Sequence, residues 1–324
     1  MRLRTQDRYD RPQGSIPLPP ADARAILQEL DPGLELASLE ILAGGFSSTN
    51  YLLATTAGDR LVVRLAGRPA GRWHAELDVM ALASTIVPVP KVFARTEHPS
   101  LPGVHAAIVE FVHGELLDDI ELGPSESAHA IGRAVGATLA AIHSVTFASA
   151  GFFGPGPTVE PFDAGQTLLA LFDELLANTT VRDRLGDLVP AAARLVADHR
   201  EVVAAPRPTV LVHSDFNAKN ILMRRGAPGV AAVLDWEFAF SGPALIDVGN
   251  FLRFDRDFPP GLEDGFVSGY RDAGGTLPAG YKQAAKLLDL TALLQFLSRA
   301  SAPPRTVATA RAAIADTLAR WPGL

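Results

Sequence analysis

The feature that most restricts the fold is a change of texture about a third of the way along the 324-residue chain. Residues 35–42, 49–56 and 60–66 are short apolar runs separated by Gly44-Gly45 and by Ala57-Gly58-Asp59, which predicts three antiparallel strands. Residues 72–85 (RWHAELDVMALAST) switch period, with Trp73, Leu77, Met80 and Ala81 on one helical stripe, ended by Pro88 and Pro90. Two more strands are expected over 91–95 and 106–112. After His113-Gly114 the pattern turns helical over 125–146, 164–177, 189–203, 243–253, 261–272, 280–299 and 303–320. Only the apolar runs 209–212 and 230–234 interrupt it. No internal repeat recurs. The expected architecture is α+β and two-lobed. A loose arm covers 1–20, and a small antiparallel-sheet lobe over 21–112 carries a short helix at 21–30 and one inserted helix. A larger, mainly helical lobe fills 113–324. Clefts between lobes are common ligand sites.

Composition narrows the function classes. With 48% hydrophobic and 20% charged residues, the chain has too much apolar surface to stay a solvated coil. A net charge of -7 leaves no basic surplus to neutralise phosphates, so no nucleic-acid partner is expected. There is no cysteine, which excludes disulfides, thiolate zinc sites and thiol nucleophiles. The N-terminal MRLRTQDRYDRPQGSIPLPP lacks the apolar core of a secretory signal, and no apolar run approaches the ~20 residues that span a bilayer. A soluble, cytoplasmic protein without a membrane partner is the expectation.

The segment LVHSDFNAKNILM, residues 211–223, carries the strongest chemical signal. His213, Asp215 and Asn220 follow an apolar strand in an H-x-D-x-x-x-x-N arrangement, and VLDWE ends a second strand with Asp235 and Glu237. Phosphoryl transfer needs such a set. One carboxylate orients a hydroxyl and takes its proton, while a second carboxylate and an amide oxygen hold magnesium on the nucleotide phosphates. Asp215 suits the first role, and Asn220 with Asp235 the second. Single Asp and Asn residues after strands are usually turn formers, but here two strand-end acids and a two-lobed layout agree.

With these residues the chain resembles the aminoglycoside phosphotransferase and choline kinase family, which has a protein-kinase-like fold. HSDFNAKNIL is similar to that family's catalytic loop, and LDWEFAFSGPALIDVGNFLR to its metal-binding strand and following helix. The weaker resemblance runs over residues 35–300. It implies Asp215 as the catalytic aspartate, Asn220 and Asp235 as magnesium ligands, and Glu237 assisting the metal directly or through water. It also implies structural roles for Asp247 and His213, both bracing the catalytic loop.

The sheet lobe is expected to clamp ATP or GTP. Gly44-Gly45-Phe46-Ser47-Ser48 lies between two predicted strands, where small residues let backbone N–H groups approach phosphates. Alone it also reads as a plain hairpin turn. The resemblance places Gly45, Ser47 and Ser48 over the triphosphate. The third strand, LVVRLA, offers Arg64 where a protein kinase has lysine. Val62 and Arg64 share one strand face, so an aliphatic wall for adenine would stand beside the cation. Arginine can grip two phosphate oxygens at once. Glu76 would pair with Arg64, the competing reading being an exposed helix residue, while Arg68 and Arg72 are rivals for the phosphate. In the link AAIVEFVHGE the backbone of Glu110 and Val112 would bond the base edge. His143 reads as structural.

Few residues separate Glu237 from the helix near Pro243, leaving no room for a peptide-docking segment and favouring a small-molecule hydroxyl acceptor. Asp255, Asp257, Glu263 and Asp264, with Asp118, Asp119 and Glu121, would attract a polycation such as an aminoglycoside if they line the cleft. A solvated acidic face is the alternative, and the overall negative charge favours it. Macrolides, homoserine, choline, ethanolamine, methylthioribose and sugars stay open as acceptors. A catalytically silent ligand-binding relative is the rival class. Hydrolase chemistry lacks its G-x-S-x-G elbow, since GFVSG at 265–269 has its serine misplaced.

Overall fold

A computed structural model describes residues 2–5, 8–9, 14–42, 48–123 and 125–324. The first part contains α1 (Pro20–Leu30), β1 (Leu36–Leu42), β2 (Thr49–Thr55), β3 (Arg60–Ala66), α2 (Ala70–Ala83), β4 (Val92–Glu97) and β5 (His105–Glu110). The strands form one antiparallel sheet in the order β1-β2-β3-β5-β4. Alternation along β3 decides what the sheet does. Leu61, Val63 and Leu65 point to the face covered by Ile26 and Leu27 of α1. Val62, Arg64 and Ala66 point the other way, toward Trp73 and Met80 of α2 and the interlobe cleft. Burying each large aliphatic side chain on the α1 side contributes about 1.5–3 kcal/mol. That anchorage holds a buried arginine on the opposite face.

The second part begins with β6 (Glu115–Leu116), α3 (Ser125–His143), β7 (Thr146–Phe147), β8 (Gly151–Phe153) and β9 (Val159–Pro161). Then come α4 (Leu168–Ala177), α5 (Thr179–Leu185), α6 (Val189–Asp198) and α7 (Arg200–Ala204). The strands β10 (Thr209–Val212), β11 (Ile221–Met223), β12 (Val230–Val233) and β13 (Phe240–Pro243) carry the motif segments. The chain closes with α8 (Leu245–Phe251), α9 (Leu262–Asp272), α10 (Tyr281–Ser298) and α11 (Pro304–Arg320). Two small antiparallel sheets, β7-β10-β13-β8-β9 and β12-β11-β6, lie among the helices.

Several boundaries differ from the sequence expectation. The helix predicted over 189–203 breaks at His199, whose φ of -120° leaves the helical region. The His199 ring accepts a hydrogen bond from Trp321 Nε1 at 3.2 Å. Asn178 ends α4 and caps α5, which sequence reading missed, by accepting from the Val181 N–H at 3.1 Å. The helix predicted from 243 starts at Leu245, because Phe240–Pro243 pairs with β10. The strand predicted to reach 112 stops at Glu110, so Phe111 and Val112 belong to the link.

Close helix contact in the larger part depends on missing side chains. Gly132 and Gly136 of α3 face Gly265 and Gly269 of α9. A Cβ on Gly136 would lie 2.0 Å from the Phe266 carbonyl oxygen, and one on Gly269 2.1 Å from that of Arg133. This pair supports the end of α3, from which His143 reaches the site. Among the described residues, no helix is long and apolar enough to cross a membrane.

Candidate active site

The loop that carries Asp215 leaves β10 under strain that the rest of the fold compensates. Ser214 sits at φ 65°, a left-handed conformation uncommon for a residue with a side chain. The fully buried Asp247 carboxylate holds it there, accepting from the N–H groups of His213 at 2.8 Å and Ser214 at 2.7 Å. His143 Nε2 lies 3.1 Å from the same carboxylate, and its Nδ1 lies 2.8 Å from the Tyr270 hydroxyl. The His213 ring is within 2.9 Å of the Leu234 carbonyl through Nε2, and its Nδ1 accepts from the Asp215 N–H at 3.2 Å. Those partners fix the orientation of the ring. His213 therefore ties the Asp215 loop to the segment that carries Asp235.

Three side chains of the loop orient Asp215, one of them braced by Asn250 of α8. Asn217 Nδ2 donates to Asp215 Oδ1 at 2.8 Å and to Asn250 Oδ1 at 3.2 Å. Asn220 Nδ2 donates to Asp215 Oδ2 at 2.7 Å, and Lys219 Nζ donates to the same oxygen at 2.6 Å. Burial alone would raise the Asp215 carboxyl, but the Lys219 ammonium outweighs it and holds the group below the usual carboxylate range. Burial would likewise lower Lys219, and the charges of Asp215 and Asp235 raise it above the usual lysine value. Sequence reasoning passed over Lys219, Asn217 and Asn250. A signal for Lys219 was present, since it is one of four lysines in an arginine-rich chain and falls inside the motif.

Asp235 also adopts a left-handed φ of 65°. The Leu234 N–H donates to the Asn220 carbonyl at 2.8 Å, so the two candidate magnesium ligands are joined through the backbone. Arg64 Nη2 donates to Glu76 Oε1 at 2.7 Å and lies 3.7 Å from Asp235 Oδ1. Burial works to lower the Arg64 pKa, and Glu76, then Asp235, more than offset it and raise it. Arg68 bridges the other Glu76 oxygen to Glu237. Glu237, a candidate partner of the metal, lines the smaller pocket beside Asp235 and pairs with Arg68. Arg72 lies exposed on α2.

Two cavities meet at this point. A cleft of about 320 Å³ is lined by Ser48, Val62, Arg64, Val112 and Asn220, with Glu110 at its hinge edge. The Glu110 N–H donates to the Lys91 carbonyl at 2.8 Å and is not available to a base. Glu76 does not line the cleft and acts through Arg64. Gly45 and Ser47 lie outside the described residues. A second pocket of about 160 Å³ contains Ser214, Asp215 and Glu237. Lys219 and Asp235 line both cavities. For a hard cation, Asp235 offers a carboxylate whose side chain is 23% exposed, and Asn220 offers an amide oxygen while its nitrogen holds Asp215. Two oxygen donors fit magnesium, which retains several waters.

The description "Phosphotransferase enzyme family" matches this chain over residues 38–287. Among curated proteins, a probable acyl-CoA dehydrogenase, IBR3, of Arabidopsis thaliana is 29% identical over 170 residues, 51% of this chain and 20% of that protein. The chain thus spans about a fifth of the length of the curated relatives it matches. Among solved structures, a thermostable mutant of aminoglycoside phosphotransferase APH(4)-Ia in complex with ADP and hygromycin B is 20% identical, covering 94% of this chain and 100% of that one at a TM-score of 0.70. Macrolide 2'-phosphotransferase MphH from Brachybacterium faecium is 18% identical, covering 93% and 97%, at a TM-score of 0.55. At these identities the structural likeness speaks for the fold. The match over most of its length and the shared architecture make this chain a member of the phosphotransferase enzyme family, with the protein-kinase-like fold of the aminoglycoside phosphotransferases.

Proposed function

We propose that the chain transfers the terminal phosphoryl group of ATP or GTP to a hydroxyl of a small molecule. One observation carries this reading. Lys219 and Asp235 line both cavities, while Asn220 faces only the larger and Asp215 only the smaller. A nucleotide in the first and an alcohol in the second would therefore meet between Asp215 and Asp235.

In this reading Val62 packs on the base, and the Glu110 carbonyl and Val112 N–H bond its edge. Arg64, held by Glu76, grips phosphate oxygens, and Ser48 lies beside them at the cleft wall. Magnesium, held by Asn220 and Asp235, would neutralise charge on the phosphates. Asp215 accepts a hydrogen bond from the acceptor hydroxyl. The hydroxyl oxygen attacks the terminal phosphorus, the bond to the nucleoside diphosphate oxygen breaks, and the proton passes to the Asp215 carboxylate. With its pKa held low, Asp215 acts chiefly by orienting the hydroxyl and takes the proton late. Lys219 lies where charge accumulates on the transferred group. The intact set of Asp215, Asn220 and Asp235 speaks against a silent binding relative.

Magnesium-dependent nucleotide turnover with Asp215→Asn as the control tests the proposal. The expected outcome is a fall in turnover of roughly 10²–10⁴-fold with nucleotide affinity retained. Equal loss of both would remove Asp215 from the proposed role.

A further inference from the structure

Four of the acidic residues that could have drawn a polycation are engaged elsewhere. Asp255 is buried against Lys282, Lys286 and Arg320, each at 2.8 Å. Asp257 pairs with Arg8, and Glu263 with Lys282 at 2.7 Å. Asp118 is 1% exposed and accepts from the Thr5 N–H. None of them, nor Asp119, Glu121 or Asp264, lines the smaller pocket. The carboxylates that do line it are Asp215, Asp235 and Glu237, and each faces a cation of the catalytic machinery.

Past Asp215 the wall becomes apolar and then basic. Tyr9, Phe238, Phe296 and Pro303 supply the apolar surface, and Phe238 is 41% exposed there. Arg299, directly after α10, stands beyond them with its guanidinium carbon 5.1 Å from the Phe296 ring centre and 5.9 Å from that of Phe238. No carboxylate among the described residues lies within ion-pair distance of Arg299. Its fold contribution comes from the backbone, since its carbonyl accepts from Arg184 Nη1 at 2.8 Å. Two aromatic faces steer the cation toward the pocket without neutralising it. A polycationic acceptor would be repelled there, whereas an anionic group would find a fork of donors.

We infer that the acceptor is a hydroxylated molecule with a largely apolar body and an anionic group, the body lying on Phe238 and Phe296 and the anion meeting Arg299. The inference rests on the phosphotransfer reading for the position of the reacting hydroxyl and adds the substrate class. A carboxylate and a phosphate ester share this chemistry.

The test uses hydroxyoctanoates with the hydroxyl at successive carbons, the matching neutral alkanediols, a hydroxyalkyl phosphate and kanamycin, with both turnover and direct binding measured. At least one anionic probe should exceed its neutral diol and kanamycin in kcat/KM by about tenfold or more, the worth of one charge-assisted contact. Arg299→Glu should abolish that preference and Arg299→Lys should keep part of it, with nucleotide binding checking that each variant is folded. The better anionic probe tells carboxylate from phosphate. Preference for kanamycin, or an anion-to-diol ratio unchanged in Arg299→Glu, overturns the inference. If no probe is phosphorylated yet anionic probes bind in an Arg299-dependent manner, the pocket assignment stands and the phosphotransfer reading falls. If anionic probes do not bind, the inference falls regardless of nucleotide turnover.

Discussion

Two buried charge clusters in this molecule use the same residue types to opposite ends. Around Asp255, whose side chain is 2% exposed, Lys282, Lys286 and Arg320 close in from α10 and α11. Lys286 also donates to the Leu252 and Arg253 carbonyls. Burial would raise the Asp255 carboxyl, but Arg320 and the two lysines hold it far below the usual range. Around Glu76, Arg64 and Arg68 close one side, while Asp235 has Arg64 no nearer than 3.7 Å and opens on both cavities. The first cluster has satisfied its charges and joins helices. The second keeps a carboxylate and a cation with capacity left for a ligand. Charge in the interior therefore marks function only where it reaches a cavity.

The largest effect should come from breaking the closed cluster. Asp255→Ala leaves buried cations uncompensated and should cost about 3–5 kcal/mol of stability in denaturant unfolding, with nucleotide KM near wild type in the surviving fold. An unchanged midpoint would erase the contrast. In the open cluster, Asp235→Ala should remove the magnesium dependence of nucleotide binding, measured by titration calorimetry, at little cost in melting temperature. Persistence of that dependence would move the metal away from Asp235. Arg64→Met should weaken nucleotide binding by roughly 10–100-fold, the worth of a charge-assisted contact, and more than it weakens acceptor binding. The fold should tolerate it because Arg68 still holds Glu76. The reverse ordering would assign the phosphate grip to Arg68.

The smallest effect concerns pH. Asp215 must be ionised to accept a proton, so the rate falls as pH drops through its pKa. Lys219 holds that pKa below the ordinary value against the pull of burial. Lys219→Met should therefore move the acid limb of the kcat/KM profile upward. A stationary limb would show that another group titrates there.

Much of the fold was readable before any coordinates, and the unreadable parts share a cause. Strands of seven residues and helices of ten or more repeat their pattern often enough to be seen, as in β3 and α10. Segments such as Thr146–Phe147, Gly151–Phe153 and Phe240–Pro243 are too short to show a period and exist because remote chain pairs with them. The short α5 rests on a cap at Asn178 that looked like a loop.

The site divides along the same line. Asp215, Asn220 and Asp235 stand out because phosphoryl transfer fixes their types and spacing along one stretch of chain. Their neighbours do not stand out in this way. The sequence does not show that Arg68 faces Glu237, nor that α10 and α11 bring three cations against Asp255. Sequence alone thus determined the period of the elements and singled out the candidate reacting groups, which are local properties. Tertiary structure decided which charges stay available, because ion pairing and burial depend on distances between segments that sequence order leaves free.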